Sequence, residues 1–364
     1  MTSANDKDLF SARRAGVLLH PTCLPGSLGV LGAGARRFVD FLADSGITIW
    51  QTLPIGPTHQ DLSPYQSLSA HAGNQDFIDL AELLQTGLLA DAELAQPIAE
   101  SRQQLLAIAA QRFYEGHATG RKGFDLAGFE AFRARNDYWL DDFCLFCAIR
   151  EVQESPGWLQ WPEHLRDREP AALQAFVDQN QARLARIRFE QFLFNHQWQA
   201  LRDYARSRNV LLFGDIPIFV AQDSADVWAN RQFFKLDARG EPTVVAGVPP
   251  DYFSEEGQHW GNPLYNWQVM AEDGYQWWLQ RLESQRHLFD LIRIDHFRGL
   301  QAYWEIPAEA PQPRNGYWVP GPSDHFLQAC FDRFPDLPLV AENLGIISDD
   351  VEELRHRFRL PGMT

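Results

Sequence analysis

Five short apolar segments of this chain each run into a polar or charged cluster, and the stretches between them read as helices. Residues 15–19 (AGVLL) lead into HPT, residues 47–53 (ITIWQTL) into PIGP, and residues 210–220 (VLLFGDIPIFV) contain GDIP. Residues 288–297 contain RIDHF, and residues 337–343 (LPLVAEN) open the cluster AENLG. Between the first two, AGARRFVDFLADSG places Phe38, Phe41 and Leu42 at helical spacing, with Gly46 suited to the C-terminal cap. A strand, a helix and a second strand in that order require parallel pairing. Repeated along the chain, the pattern predicts an α/β fold. Polar groups at the C-terminal ends of the strands predict a (β/α)8 barrel, whose active sites gather there. An open doubly wound sheet is the alternative, but no GxGxxG turn follows the first strand.

The barrel pattern is interrupted. Residues 76–208 are rich in Ala, Gln, Leu, Arg and Glu and show no strand alternation, so they are expected to be a mostly helical insertion. This divides the chain into 1–75 (first barrel strands and loops), 76–208, and 209–364 (barrel continuation). Residues 247–267, GVPPDYFSEEGQHWGNPLYNW, read as a Gly/Pro/aromatic loop, and residues 272–288 as a helical stretch before the next strand. No internal repeat is present.

Composition limits the function classes. With 364 residues and 45% hydrophobic content the chain can bury a large core. A net charge of −16 argues against a nucleic-acid partner and fits a neutral substrate. No run of about 18 apolar residues marks a membrane span, and MTSANDKDLF lacks a signal pattern, so a cytoplasmic protein is expected. Cys144 and Cys147 have redox spacing, but they lie in a helical apolar run and are expected to be core thiols. His20, His59, His71 and His296 have no metal-ligand spacing, and no metal or cofactor is expected. Walker A, Gly-x-Ser-x-Gly and zinc signatures are absent.

The chemistry candidates stand at the strand ends. In DLIRIDHFRGL, Arg293 and Asp295 are two residues apart, hence on one strand face, with Ile292 and Ile294 on the other. A structural salt bridge is one reading. The other is a catalytic carboxylate whose pKa Arg293 lowers, and spacing alone leaves both open. Glu342, in apolar LPLVAEN, is expected to have its pKa raised by burial, as a general acid requires. An ionised Asp295 and a protonated Glu342 would together serve glycoside chemistry. Asp215 is a third strand-end acid, either a substrate contact or a carboxylate bonding loop amides. Tyr65 in SPYQS is a sugar-stacking candidate, although a core aromatic is the commoner fate. Trp260, with Tyr252 and Phe253, lies in the loop, where exposed aromatics tend to bind.

Taken together, HPTCLPG, QTLPIGP, SPYQSLSAHAGN, GDIPIFVAQDSADVWAN, GVPPDYFSEEGQHWGNPLYNW, RIDHFRG and AENLG resemble the amylomaltases, or 4-α-glucanotransferases, of the α-amylase clan. The resemblance runs from about residue 13 to the last residue. It implies a retaining double displacement on α-1,4-glucans without a cofactor, with maltooligosaccharides as donors and glucose among the acceptors. Asp295 would be the nucleophile, Glu342 the acid/base and Arg293 the support of the nucleophile. Asp215, Tyr65, Asp251 and His296 would contact sugars, and Trp260 would belong to a mobile acceptor-side lid. Such enzymes carry a third catalytic Asp in a later strand, so the resemblance also predicts a chain cut short after about five of eight strands. Two alternatives accompany it: a hydrolytic α-glucosidase, and an inactive fragment that binds glucan.

Overall fold

The computed structural model describes residues 9–10, 13–26, 28–95, 98–116, 126–154, 157–251, 254–345 and 347–363. In chain order its strands are Gly16–Leu18 (β1), Ile49–Gln51 (β2), Leu211–Ile216 (β3), Val244–Val248 (β4) and Gln258–Pro263 (β5). Leu291–Ile294 (β6), Ala302–Pro307 (β7), Tyr317–Pro320 (β8) and Leu339–Ala341 (β9) follow. The five expected strands are β1, β2, β3, β6 and β9, and they form one parallel sheet in that order. Among the described residues this sheet is open, with β1 and β9 at its edges.

Alternation sorts the sheet's two faces. Trp50, Leu212, Ile216, Ile292, Ile294, Leu339 and Ala341 join the main core beneath the helices. On the other face Phe213, Leu291 and Val340 form a small separate cluster with Ile49. One pleat further along that inner face come Asp215 and Arg293, paired in register. The same two-residue period therefore supplies an apolar floor and a polar layer above it.

The first helix spans Ala33–Asp44 and closes with a Schellman pair: Gly46 donates to Ala43 O and Ile47 to Leu42 O, at 3.1 and 2.9 Å. Gly46 has φ 72°, as its capping position requires. The buried stripe is Ala35, Val39 and Leu42, whereas Phe41 is exposed and stacks on Phe38. The expected apolar face was thus rotated: Val39 occupies the place assigned to Phe41.

From Leu80 to Ser207 the described residues hold helices, 3-10 turns and their connections. The helix Gln181–Ser207 acts as a spine. Gln191 grips Gly73 through both its amide hydrogen and carbonyl, each bond at 2.9 Å. Six residues on, Gln197 does the same to Asp79, at 2.7 and 2.9 Å. Further along, Trp198 donates to Leu288 O and Arg202 to Phe289 O, which fixes the entry into β6. Cys144 is buried and Cys147 partly buried on the helix Leu140–Gln153, and burial pushes both thiols far up. These are inert thiols.

One expectation fails here. Residues 247–267 are not a plain loop, because β4 and β5 pair antiparallel within a four-stranded sheet of order β5-β4-β7-β8. Their Gly and Pro content hid the strands. The helical stretch read at residues 272–288 is the helix Gln276–Leu288, which starts after Trp267–Glu272 has ended in a Schellman pair at Gly274 and Tyr275. No helix among the described residues is long and apolar enough to cross a membrane.

Candidate active site

Arg293 is the hub of the polar layer. Its Nη1 donates to both oxygens of Asp215 at 2.7 Å, while its Nη2 lies 2.6 Å from Asp295 Oδ1. Tyr65 completes the set by donating its hydroxyl to Asp215 Oδ2 at 2.8 Å. The two acids differ in access. The Asp215 side chain is 1% exposed and that of Asp295 29%, so Asp295 is the more open of the two to an incoming molecule.

Burial pushes Asp215 up to about 6, with Arg293 and the Tyr65 bond opposing and the Asp295 charge adding to the rise. Asp295 is also raised, because burial outweighs Arg293. This corrects the expectation that Arg293 would hold Asp295 below the ordinary carboxylate range. The guanidinium is shared between two carboxylates and cannot fully offset the desolvation of either.

Glu342 follows β9 on the strand next to β6. Its Oε2 accepts the His296 amide at 2.9 Å and its Oε1 the Leu344 amide at 2.7 Å. Burial and the charge of Asp295 raise its pKa, against those amides and Arg293. One acid is therefore bonded to a guanidinium and the other to neutral amides, an asymmetry suited to separate roles.

His296 is the pivot between the parallel sheet and the smaller one. Its backbone is left-handed at φ 54°, a conformation uncommon outside glycine, and the resulting turn aims its amide at Glu342. Its ring packs edge-on against Trp260 at 4.9 Å. Burial and the charge of Arg298 push the imidazole down to about 3, so it stays neutral. Its buried Nε2 has no hydrogen-bond partner among the described residues.

Trp260 reaches His296 because of a bulge. The pairing jumps from Val245↔Pro263 to Gly247↔His259, leaving Trp260, Gly261 and Asn262 opposite Ala246 alone. Gly261, at φ 78°, supplies the turn. Such bulges re-aim side chains. Trp260 is thus held on a strand and not on the loop expected for it. Asp251 lies beyond β4, where its Oδ1 accepts the Ser254 amide at 2.9 Å. Tyr252 and Phe253 lie outside the described residues.

The sequence reading missed Arg281. This buried side chain donates from Nη2 to Pro217 O at 2.6 Å and from Nη1 to Ile218 O at 3.3 Å, just beyond Asp215. Asp226 was missed as well, although it accepts the Ala70 amide at 2.7 Å and so fastens the loop that carries Tyr65. Neither lies at a strand end, and nothing local distinguishes them. Among the described residues no group of three or more His, Cys, Asp or Glu could hold a metal ion.

Acids, an arginine and a tyrosine gathered at the C-terminal ends of parallel strands define an α/β enzyme of the carbohydrate-active, barrel-derived class. Residues 19–364 match glycoside hydrolase family 77, described as 4-alpha-glucanotransferase, and the chain belongs to that family. It is 46% identical over 357 residues to the 4-alpha-glucanotransferase of Thermus thermophilus, a match covering 96% of this chain and 71% of that protein. The chloroplastic/amyloplastic 4-alpha-glucanotransferase of Solanum tuberosum is 40% identical over 374 residues, covering 98% and 64% respectively. Among solved structures, the Streptococcus agalactiae amylomaltase in complex with acarbose superposes with a TM-score of 0.88 at 34% identity, covering 97% of this chain and 73% of that one. The five parallel strands are accordingly an arc of the family's (β/α)8 fold, open among the described residues.

Proposed function

We propose that this chain moves α-1,4-glucan segments from donor to acceptor maltooligosaccharides, or to glucose, by retaining double displacement. Asp295 attacks the anomeric carbon while Glu342 protonates the departing sugar oxygen, leaving a glycosyl ester on Asp295. Glu342 then takes the proton from the 4-hydroxyl of the acceptor, which attacks the ester and restores Asp295. Arg293 supports the nucleophile. Asp215, Tyr65, Asp251 and His296 contact the sugars around the cleavage point, and Trp260 stacks the acceptor and limits the entry of water. The helical segment 76–208 serves as an insertion that holds the loop bearing Tyr65.

The observation that carries this reading is the asymmetric pair of carboxyls on neighbouring strands, Asp295 on Arg293 and Glu342 on two amides. A neutral soluble substrate and a cytoplasmic setting without nucleic acid accord with the net charge of −16. Incubation with maltotriose tests it. Longer oligomers together with glucose are expected. Glucose without elongation would make the chain a hydrolase, and glucan binding without turnover would make it a binding protein.

A further inference from the structure

Trp318 and Tyr317 stand on β8, an edge of the four-stranded sheet, and are 41% and 49% exposed. Neighbours on a strand point to opposite faces. Tyr317 is tied down, since its hydroxyl donates to Glu305 Oε1 at 2.7 Å. Trp318 is held without being covered. The Arg298 guanidinium lies 4.0 Å from its ring centre, and its register partner Trp304 meets it edge-on at 5.2 Å. Trp304 is itself fixed by its indole bond to Pro313 O at 2.9 Å.

The position of this ring links it to the candidate active site. Arg298 belongs to the turn Phe297–Leu300 that directly follows Asp295 and His296. The end of β8 is fastened to the same turn, with the Gly321 amide donating to Gln301 O at 2.8 Å. His296 packs on Trp260 of β5 and Arg298 on Trp318 of β8, so one short turn touches aromatics at both edges of the sheet. Three strand spacings separate those edges, about 14 Å. That is a span of several sugar rings.

We propose that Trp318, braced by Arg298 and Trp304, is an outlying stacking subsite for the distal sugars of an α-1,4-glucan chain held at Asp295. The C–H face of a glucosyl ring suits an exposed indole, and a braced ring loses little freedom on binding. Short glucans end before they reach it. The inference rests on the glucan reading of the site and adds to it a preference for longer chains.

Titration calorimetry on the full chain, comparing maltoheptaose with maltotriose, tests the subsite. Trp318→Ala should weaken maltoheptaose roughly three- to tenfold and maltotriose by less. Trp318→Phe should keep most of the affinity, and Trp318→Leu, apolar but not aromatic, should lose it. Equal losses for both sugars, a Leu variant that binds as the parent does, or a dimer that Trp318→Ala turns into monomers would each overturn the subsite. Elongation of maltotriose by the parent chain reads the proposed function separately, so a failure of the subsite is told apart from a failure of that reading.

Discussion

A single nitrogen of Arg293 donates to both carboxylate oxygens of Asp215, each at 2.7 Å. Asp295 receives the other terminal nitrogen at 2.6 Å, so one cation serves two acids. The competition has a direction. Each carboxylate weakens the help that the other draws from Arg293, and both are raised above their ordinary values.

Removing one competitor should therefore be visible in the pH profile. In the proposed mechanism the nucleophile Asp295 must be ionised, so its raised pKa places the acid limb of kcat/KM above the ordinary carboxylate range. Asp215→Asn removes a neighbouring negative charge and leaves Arg293 to Asp295. The acid limb should then move down by roughly a unit, even as the rate falls. An unmoved limb would mean that the two acids are not coupled through Arg293.

In the same proposal Glu342 governs the opposite limb. Its raised pKa keeps it protonated to higher pH, and activity should decline as pH rises through that value. Glu342→Gln should cost roughly 10²–10⁴ in rate on maltotriose and abolish the alkaline limb. A glycosyl fluoride donor needs no protonation to depart, so its glycosylation step should be largely spared in the same variant. Equal losses on both donors would remove the acid role from Glu342.

How much of this was legible in the sequence follows from what each residue's neighbours are. All five parallel strands and their polar ends could be read, because a two-residue period and a following polar cluster are local signals. The sharing of one face by Arg293 and Asp295 followed from their spacing alone, and register then paired Arg293 with Asp215. The smaller sheet was not legible: Gly247, Gly257 and Gly261 read as breakers, although here they permit the bulge and close strand approach. Arg281 and Asp226 escaped because their partners, the Pro217 carbonyl and the Ala70 amide, are remote in sequence. The sign at Asp295 was misread for a related reason. Spacing reveals a neighbouring charge, but neither the depth of burial nor a second claimant on that charge.

Burial of acids also shapes stability. Asp215 and Asp226 are pushed up to about 6 and Glu190 to about 7, all chiefly by burial. A carboxyl raised in the folded state contributes stability that is complete below its unfolded pKa and is lost as pH rises through its folded value. Lowering the pH from 8 to about 5 should therefore raise the thermal midpoint by a few degrees. Further acidification should reverse the gain as acids such as Asp167, held at about 2 chiefly by Arg166, become protonated. Glu190→Gln, by removing the highest of the three, should flatten the curve between pH 8 and 6. Differential scanning calorimetry across that range checks both outcomes, and a midpoint that falls steadily from pH 8 to 5 would refute the account.

Arg281 offers a test of how the site is held from behind. Its guanidinium reaches the carbonyls of Pro217 and Ile218 and the hydroxyl of Tyr265, and it lies against the ring of Trp278 at 4.7 Å. Those carbonyls begin immediately after β3, one residue beyond the pair Asp215–Ile216. The next turn of the same helix is fastened to the loop that carries Tyr65: the Gln285 amide, four residues along, donates to Ala70 O at 3.3 Å. Arg281→Met keeps the apolar stem but leaves the Pro217 carbonyl without its donor, while Ile218 O retains the Tyr265 hydroxyl at 2.8 Å, and should cost about 2–4 kcal/mol of unfolding free energy. Urea denaturation measures that loss. A merely structural residue would stop there, whereas a positioning residue should also lower kcat in the folded variant at saturating maltotriose, because the strand end that carries Asp215 loses its anchor. Arg281→Lys, which restores the charge on a compact ammonium but not the planar donor fork, should recover part of the stability and less of the rate, since the fork geometry that spans the two carbonyls is lost.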